Sequence, residues 1–143
     1  MDRAQLEELN RLAWELFNAH DMDGMVGRVA DDFVNHNAAP GTPRGPEGQR
    51  QVNERLWSAF PDLTFEVEDA LVADDRVAAI GTMRGTHRGE FMGIKPTNKR
   101  FEARQMHRLR FNDEGKLTEH LAVRDDVAMF AQLGVRFSPG LLG

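Results

Sequence analysis

Gln105 and His107 are the residues of this 143-residue chain whose types and spacing best fit chemistry. They stand two apart in the stretch Phe101 to Phe111, whose odd positions are otherwise apolar: Phe101, Ala103, Leu109 and Phe111. The even positions are Glu102, Arg104, Met106, Arg108 and Arg110. Side chains alternate along a strand, so the pattern predicts a strand whose inward face carries one amide and one imidazole. A buried polar group left unpaired costs roughly 1–3 kcal/mol, so both need a partner, a water or a ligand. A satisfied core pair is one reading. Two such residues in succession on one face favour the other, the polar lining of a pocket, and an imidazole with an ordinary pKa of about 6.5 suits a base near neutral pH.

Further candidates surround this pair. Asn35, His36 and Asn37 form a polar cluster on a short strand, where alternation turns either Asn35 with Asn37 or His36 inward. In the stretch from Leu117 to Val123, Leu117, Leu121 and Val123 mark the odd positions as inward, which carries Glu119 and Asp125 with them. Thr118, His120, Ala122 and Arg124 are then expected to face out. Asp125 stands at a strand-to-helix junction, where either it caps the helix or Asp126 does so and Asp125 reaches the pocket edge. Trp14 and Trp57, with Phe17, Phe60 and Phe65, read as core, some of them as a flat aromatic wall against a ligand. His87, set near Gly85 and Gly89, reads as an exposed loop histidine, with a place at the pocket mouth as the alternative.

Several chemistries find no support. The five histidines show neither H-x-x-x-H nor H-E-x-x-H spacing, so no metal site is predicted. Ser58 lies within a helical pattern and Ser138 near the C-terminus, neither on a nucleophile elbow. No Gly-rich loop follows a strand and opens a helix, which leaves nucleotide binding without a motif. Cysteine and tyrosine are both absent, excluding thiolate ligands, cysteine nucleophiles and phenolic acids. The net charge of −5 and the lack of any basic run argue against nucleic acid. No apolar run approaches the ~20 residues of a membrane span, and the N-terminus lacks a signal-like stretch, so a cytoplasmic protein is expected.

The elements that must position these residues follow from period and punctuation. Asp2 with Gln5 reads as a capping box before a helix carrying Leu6, Leu9, Ala13, Leu16 and Phe17. Asp21 caps a softer second helix through Ala30, weakened by Gly24 and Gly27. Phe33 to His36 reads as a short strand, and Pro46 opens a third helix that Pro61 ends. Alternating strands then follow from Leu63, from Val77 to Met83, from Phe101 to Phe111 and from Leu117 to Val123, before a last helix closed by Gly134. Helices followed by a strand meander predict an α+β fold, with helices packed on a curved antiparallel sheet around a cavity. The chain reads as one domain over residues 1–134 with a tail over 135–143.

The stretch Gly85 to Ile94 through Pro96-Thr97, together with Gln105-x-His107, Gly115-Lys116-Leu117, Glu119-His120 and Gln132-Leu133-Gly134, resembles SnoaL-like polyketide cyclases, also called ester cyclases. Phe33-x-x-His36, Gly45-Pro46-Glu47-Gly48 and Phe60-Pro61-Asp62-Leu63 are similar too, so the resemblance covers nearly the whole chain. It implies the cone-shaped nuclear transport factor-like fold, a hydrophobic small-molecule substrate, no cofactor or metal, and a homodimer or higher homo-oligomer. In the family an intramolecular aldol condensation closes a ring on an aromatic polyketide methyl ester, with an aspartate of the last strand as acid/base. Gln105 and His107 match the family's substrate-binding Gln and His, whereas the aspartate's position is Ala122. That correspondence needs position 122 inward, against plain alternation, and only a bulge in the strand reconciles the two. With Ala122 there, His107 becomes the candidate base, with Asp125 or His36 in support and Gln105 holding a carbonyl oxygen. The alternative is a non-catalytic small-molecule-binding domain of the same fold. Relatives of this fold that rely on tyrosine, such as steroid isomerases, are excluded by composition.

Overall fold

Asp2 opens the first helix through a reciprocal pair of bonds. Its carboxylate accepts the Gln5 N–H at 2.8 Å, and the Gln5 side-chain oxygen accepts the Asp2 N–H at 2.8 Å. In the computed structural model, which describes residues 1–136, α1 spans Arg3–Asn18 and buries Leu6, Asn10, Trp14 and Phe17 along one face. The distal part of the expected tail, with Ser138, lies outside the described residues. α2 is shorter than expected, Met22–Val26, because Gly27 ends it and the chain enters β1 at once (Val29–Asn35). α3 spans Gly45–Ala59, with Pro46 in its first turn.

Four strands follow the helices: β2 (Thr64–Ala73), β3 (Arg76–Thr86), β4 (Arg100–Phe111) and β5 (Leu117–Arg124). With β1 they form one sheet in the order β1-β5-β4-β3-β2. The pairings from β2 to β5 are antiparallel, as the meander predicts. β1 departs from the expected antiparallel sheet: it returns to the far edge and pairs parallel to β5. α4 spans Asp126–Gln132. It ends in a Schellman motif about Gly134 (φ +81°), with Val135 N–H on the Phe130 carbonyl at 2.9 Å and Gly134 N–H on that of Ala131 at 3.1 Å. Val135 packs on the core.

Leu6, Phe60, Leu63, Phe65, Phe101 and Leu133, each almost fully buried, form the centre of the core between the helices and the sheet. His87 is also inside, contrary to its reading as an exposed loop histidine. The loop after β3 folds back on itself: His87 N–H donates to the Lys99 carbonyl and Asn98 N–H to that of His87, each at 2.9 Å. The ring is thereby turned onto Phe60, with centroids 5.5 Å apart, and its Nδ1 accepts the Thr97 N–H at 3.3 Å. Among the described residues no helix is long and apolar enough to cross a membrane.

Three slips of register shape the sheet. One lies in β2 between Val67 and Asp69, opposite Gly81, where an added Cβ would stand 2.0 Å from the Glu66 carbonyl oxygen. Gly81→Ala is therefore expected to force the β2–β3 pair apart and to lower stability by about 1–3 kcal/mol. The measurement is the urea midpoint, and an unchanged midpoint would show that the sheet yields there without cost.

Candidate functional site

β4 alternates as its sequence demands, with Phe101, Ala103, Gln105, His107, Leu109 and Phe111 buried on the inner face. β5 does not. Arg110 pairs with Glu119 but Phe111 pairs with Leu117, so Thr118 is an extra residue without a partner on β4. Beyond that bulge the parity reverses. His120, Ala122 and Arg124 turn toward the cavity with Leu117, while Leu121 and Val123 are exposed on the outer face. The expected inward placement of Glu119 is corrected as well: it pairs with Arg110 at 3.1 Å and with Arg108 at 3.8 Å. The reading of His120, Ala122 and Arg124 as outward fails for one physical reason, the single extra residue at Thr118.

The parallel pairing of β1 on β5 settles the Asn35–His36–Asn37 cluster. Asn35 stands opposite His120 and shares its face. Asn35 and Asn37 line the cavity, whereas His36 turns away and meets Glu119 at 3.4 Å. His36 is therefore no support for His107 through direct contact. Asn37 uses both amide atoms on the Ala122 backbone, donating to its carbonyl at 2.8 Å and accepting its N–H at 2.7 Å. The side chain thus continues the β1–β5 ladder where the main chain of β1 leaves it.

The cavity enclosed by the helices and the inner sheet face has a volume of about 230 Å³. Trp14, Phe17, Phe60, Phe91 and Phe101 supply apolar wall; Asn35, Asn37, Gln105, His107, His120 and Arg124 supply polar groups on the sheet side, and Gln49, Asn53 and Arg55 of α3 supply others. Trp14 is held by its own helix, its indole N–H donating to Asn10 Oδ1 at 3.1 Å, and it meets His107 edge-on at 4.8 Å. Trp57 is not part of the lining. It stacks on His20 with centroids 4.6 Å apart and planes 9° from parallel.

Asp125 caps α4, its carboxylate accepting the Ala128 N–H at 3.0 Å. It is exposed and outside the cavity lining, which corrects its reading as a catalytic partner of His107; Asp126 is the carboxylate that lines the cavity. Among the described residues no three His, Cys, Asp or Glu side chains gather as a metal site.

A continuous chain of polar contacts crosses the sheet side of the cavity. Gln105 Oε1 lies 2.7 Å from His107 Nε2, His107 Nδ1 lies 2.8 Å from His120 Nε2, and His120 Nδ1 lies 3.1 Å from Asn35 Oδ1. The two imidazoles stack at 5.1 Å. Burial pushes His107 down to about 2, helped by the charges of His120 and Arg124. Burial pushes His120 down to about 4, helped by Arg124 and His36. Both rings are neutral near pH 7 and take part as hydrogen-bonding groups. His120 is the participant that strand alternation missed. The signal for it was the family correspondence that turned position 122, and with it 120, inward.

Comparison with known proteins follows the same lines. The sequence profile described as SnoaL-like polyketide cyclase matches residues 7–133. An aklanonic acid methyl ester cyclase of Streptomyces sp. (strain C5) is 27% identical over 91% of this chain and 81% of its own length. The structure of IdmH from Streptomyces antibioticus has a TM-score of 0.77 at 37% identity, covering 92% of this chain and 99% of that one. TsrD from Streptomyces laurentii superposes with a TM-score of 0.83 at 26% identity, covering 94% and 98%. The expected cone-shaped nuclear transport factor-like architecture is the one present.

Two measurements check the geometry. Both histidines have folded pKa values below the unfolded value of about 6.5, so at lower pH the unfolded chain binds more protons and stability falls. The loss begins as pH drops through about 6.5, before the usual carboxylate range is reached. Replacing both rings, His107→Gln with His120→Gln, is expected to flatten the slope of unfolding free energy between about pH 6.5 and 5 by up to roughly 1.4 kcal/mol per pH unit for each histidine. An unchanged slope would place the source elsewhere. Asp125→Ala should lower stability by about 1 kcal/mol through loss of the cap and leave ligand affinity as it was; weaker ligand binding would return Asp125 to the site.

Proposed function

We propose that this chain, which belongs to the SnoaL-like polyketide cyclase family, closes a ring on a hydrophobic, carbonyl-containing small molecule by cofactor-free, aldol-type acid–base chemistry. The observation that carries the reading is a neutral imidazole beside an amide on the wall of a mostly apolar cavity. His107 is the catalytic base that removes a proton α to a carbonyl. Gln105 donates an amide N–H to the carbonyl oxygen and stabilises the enolate. Trp14 and the phenylalanine wall hold the apolar body of the substrate, and Asn37 keeps the Ala122 backbone in place beneath it. The Streptomyces relative is named for a methyl ester substrate, and an ester of that class suits a mostly apolar cavity with hydrogen-bonding groups on its wall.

A second reading has its own observation. Ala122 is buried opposite His107, where the resemblance puts the family's acid/base aspartate, and an alanine there supplies no proton. A non-catalytic small-molecule-binding domain would have the same cavity. The two are separated by incubating the protein with aklanonic acid methyl ester and following ring closure together with α-proton exchange in D2O. The cyclase reading expects turnover that His107→Ala lowers by about 10²–10⁴-fold in kcat. Tight binding with neither closure nor exchange in the wild type would establish the binding domain instead.

The outer sheet face supports association of two copies. Ile80, Met106 and Val123 stand in one row across β3, β4 and β5, and Val123 is 70% exposed. A homodimer through this row predicts that Val123→Glu shifts the mass measured by light scattering to that of a monomer. A wild type that is itself monomeric would remove the row from consideration.

A further inference from the structure

The polar chain between Asn35 and Gln105 has a direction that can be worked out atom by atom. Asn35 Oδ1 accepts the Asn37 main-chain N–H at 2.9 Å, which fixes that atom as the oxygen. His120 Nδ1 faces the same oxygen at 3.1 Å, so Nδ1 carries a proton. A neutral His120 then has a bare Nε2, and the 2.8 Å contact requires His107 to donate from Nδ1. A neutral His107 in turn has a bare Nε2, facing the Gln105 amide at 2.7 Å. The oxygen and nitrogen of an amide exchange places by a half turn. Gln105 therefore meets a bare Nε2 with its NH2 group and a protonated Nε2 with its oxygen, so it fits both states of the ring.

We propose that His120 and Asn35 are positioning residues acting through His107: they hold its proton on Nδ1, leave Nε2 as the base, and take up the charge when Nε2 is protonated. The role in turnover rests on the cyclase reading above, whereas the tautomers do not. In the reaction, Gln105 turns its N–H to the substrate carbonyl and uncovers His107 Nε2, which removes the α-proton while the C–H electron pair stays on the enolate. The Nδ1 proton of His107 shifts to His120 Nε2. The positive charge then lies on His120, whose Nδ1–H remains on Asn35. The enolate carbon forms its bond to the second carbonyl, the shared proton returns from His120 to His107 Nδ1, and the new alkoxide takes the Nε2 proton from the His107 imidazolium so formed. No proton is gained or lost overall.

The surroundings keep that charge transient. Arg124 lines the cavity beside the pair, and the charges of Arg124 and His36 both oppose a lasting positive charge on His120. Asp126 also lines the cavity but is engaged by Arg124 at 3.3 Å.

Long-range proton–nitrogen correlation spectra of the 15N-histidine-labelled protein at neutral pH test the assignment directly. His107 and His120 are both expected as Nδ1–H tautomers, and a proton on His107 Nε2 would overturn the proposal. In His120→Gln, whose amide can either donate or accept, the tautomeric bias of His107 should be lost; its persistence would deny His120 the role. Should that variant not fold, Asn35→Asp preserves the acceptor and adds a charge. The two rings should then keep their tautomers and titrate together at higher pH, and no upward movement would count against the relay. With aklanonic acid methyl ester, His120→Gln should lower kcat about tenfold or more while KM changes little. The assigned tautomers in a protein that converts nothing would support the positioning of the His107 proton and defeat the cyclase reading.

Discussion

Because Thr118 has no partner on β4, the residues of β5 beyond it face the opposite way from strict alternation counted from Leu117. The consequences extend across the sheet. His120 comes beneath His107, Ala122 closes the cavity wall, and Leu121 and Val123 are left on the outer face. Thr118 helps hold the bulge, its hydroxyl donating to the Arg110 carbonyl at 3.2 Å. The bulge also sets what β1 can do. Since β1 runs parallel to β5, its register puts Asn35 beside His120, and the next inward residue, Asn37, lands on the Ala122 backbone. Without the slip, Glu119 would take the place of His120 and bring a carboxylate and its desolvation cost into an apolar cavity.

The polar sheet side of the cavity is buried but internally satisfied. Gln105 and His107 are each 6% exposed, and each finds its partner in the other or in His120. Such a chain is tolerated because every link removes a cost of roughly 1–3 kcal/mol that an unpaired group would carry. It also makes the site sensitive, since loss of one link leaves its neighbours unpaired. The aromatic contacts fix the ring between these bonds: Trp14 and Phe65 meet His107 edge-on at 4.8 and 4.9 Å, leaving it little freedom to turn. The elements behind the site, α1 and β2, therefore set the orientation of the His107 ring although neither bonds to it.

What could be read from the sequence follows from how local each determinant is. The inward face of β4 is written in its own alternation, and the cap at Asp2 in residues three apart. The cap at Asp125 was one of two local alternatives, and which carboxylate entered the cavity depended on how β5 approached α4. The choice between Asn35 with Asn37 and His36 could not be made locally, because it is set by pairing with a strand some 85 residues away. β5 departs from its pattern for a related reason. Leu121 and Val123 are apolar yet exposed, so the usual link between apolar and inward pointed the wrong way. His87 was hidden in a Gly-rich loop whose folding depends on main-chain bonds to Lys99 and Asn98.

The alanine at position 122 bears on the chemistry proposed for the site. A carboxylate opposite His107 would hold a proton close to the ring and raise its basicity; a methyl group leaves burial unopposed. The imidazole is thus a weaker base than its free counterpart, and proton transfer to a weak base is efficient only from an acidified donor. The reaction proposed for this chain accordingly suits a carbon flanked by two carbonyls, as between a ketone and an ester, more than one beside a single ketone. Spreading the proton over His107 and His120 compensates in part, because the charge that burial penalises on one ring is shared with a second one anchored on Asn35 Oδ1. The same arrangement explains why an amide suffices at position 35. A carboxylate there would trap the charge on His120, whereas a neutral acceptor fixes the tautomer and, in the proposed relay, lets the shared proton return to His107 Nδ1.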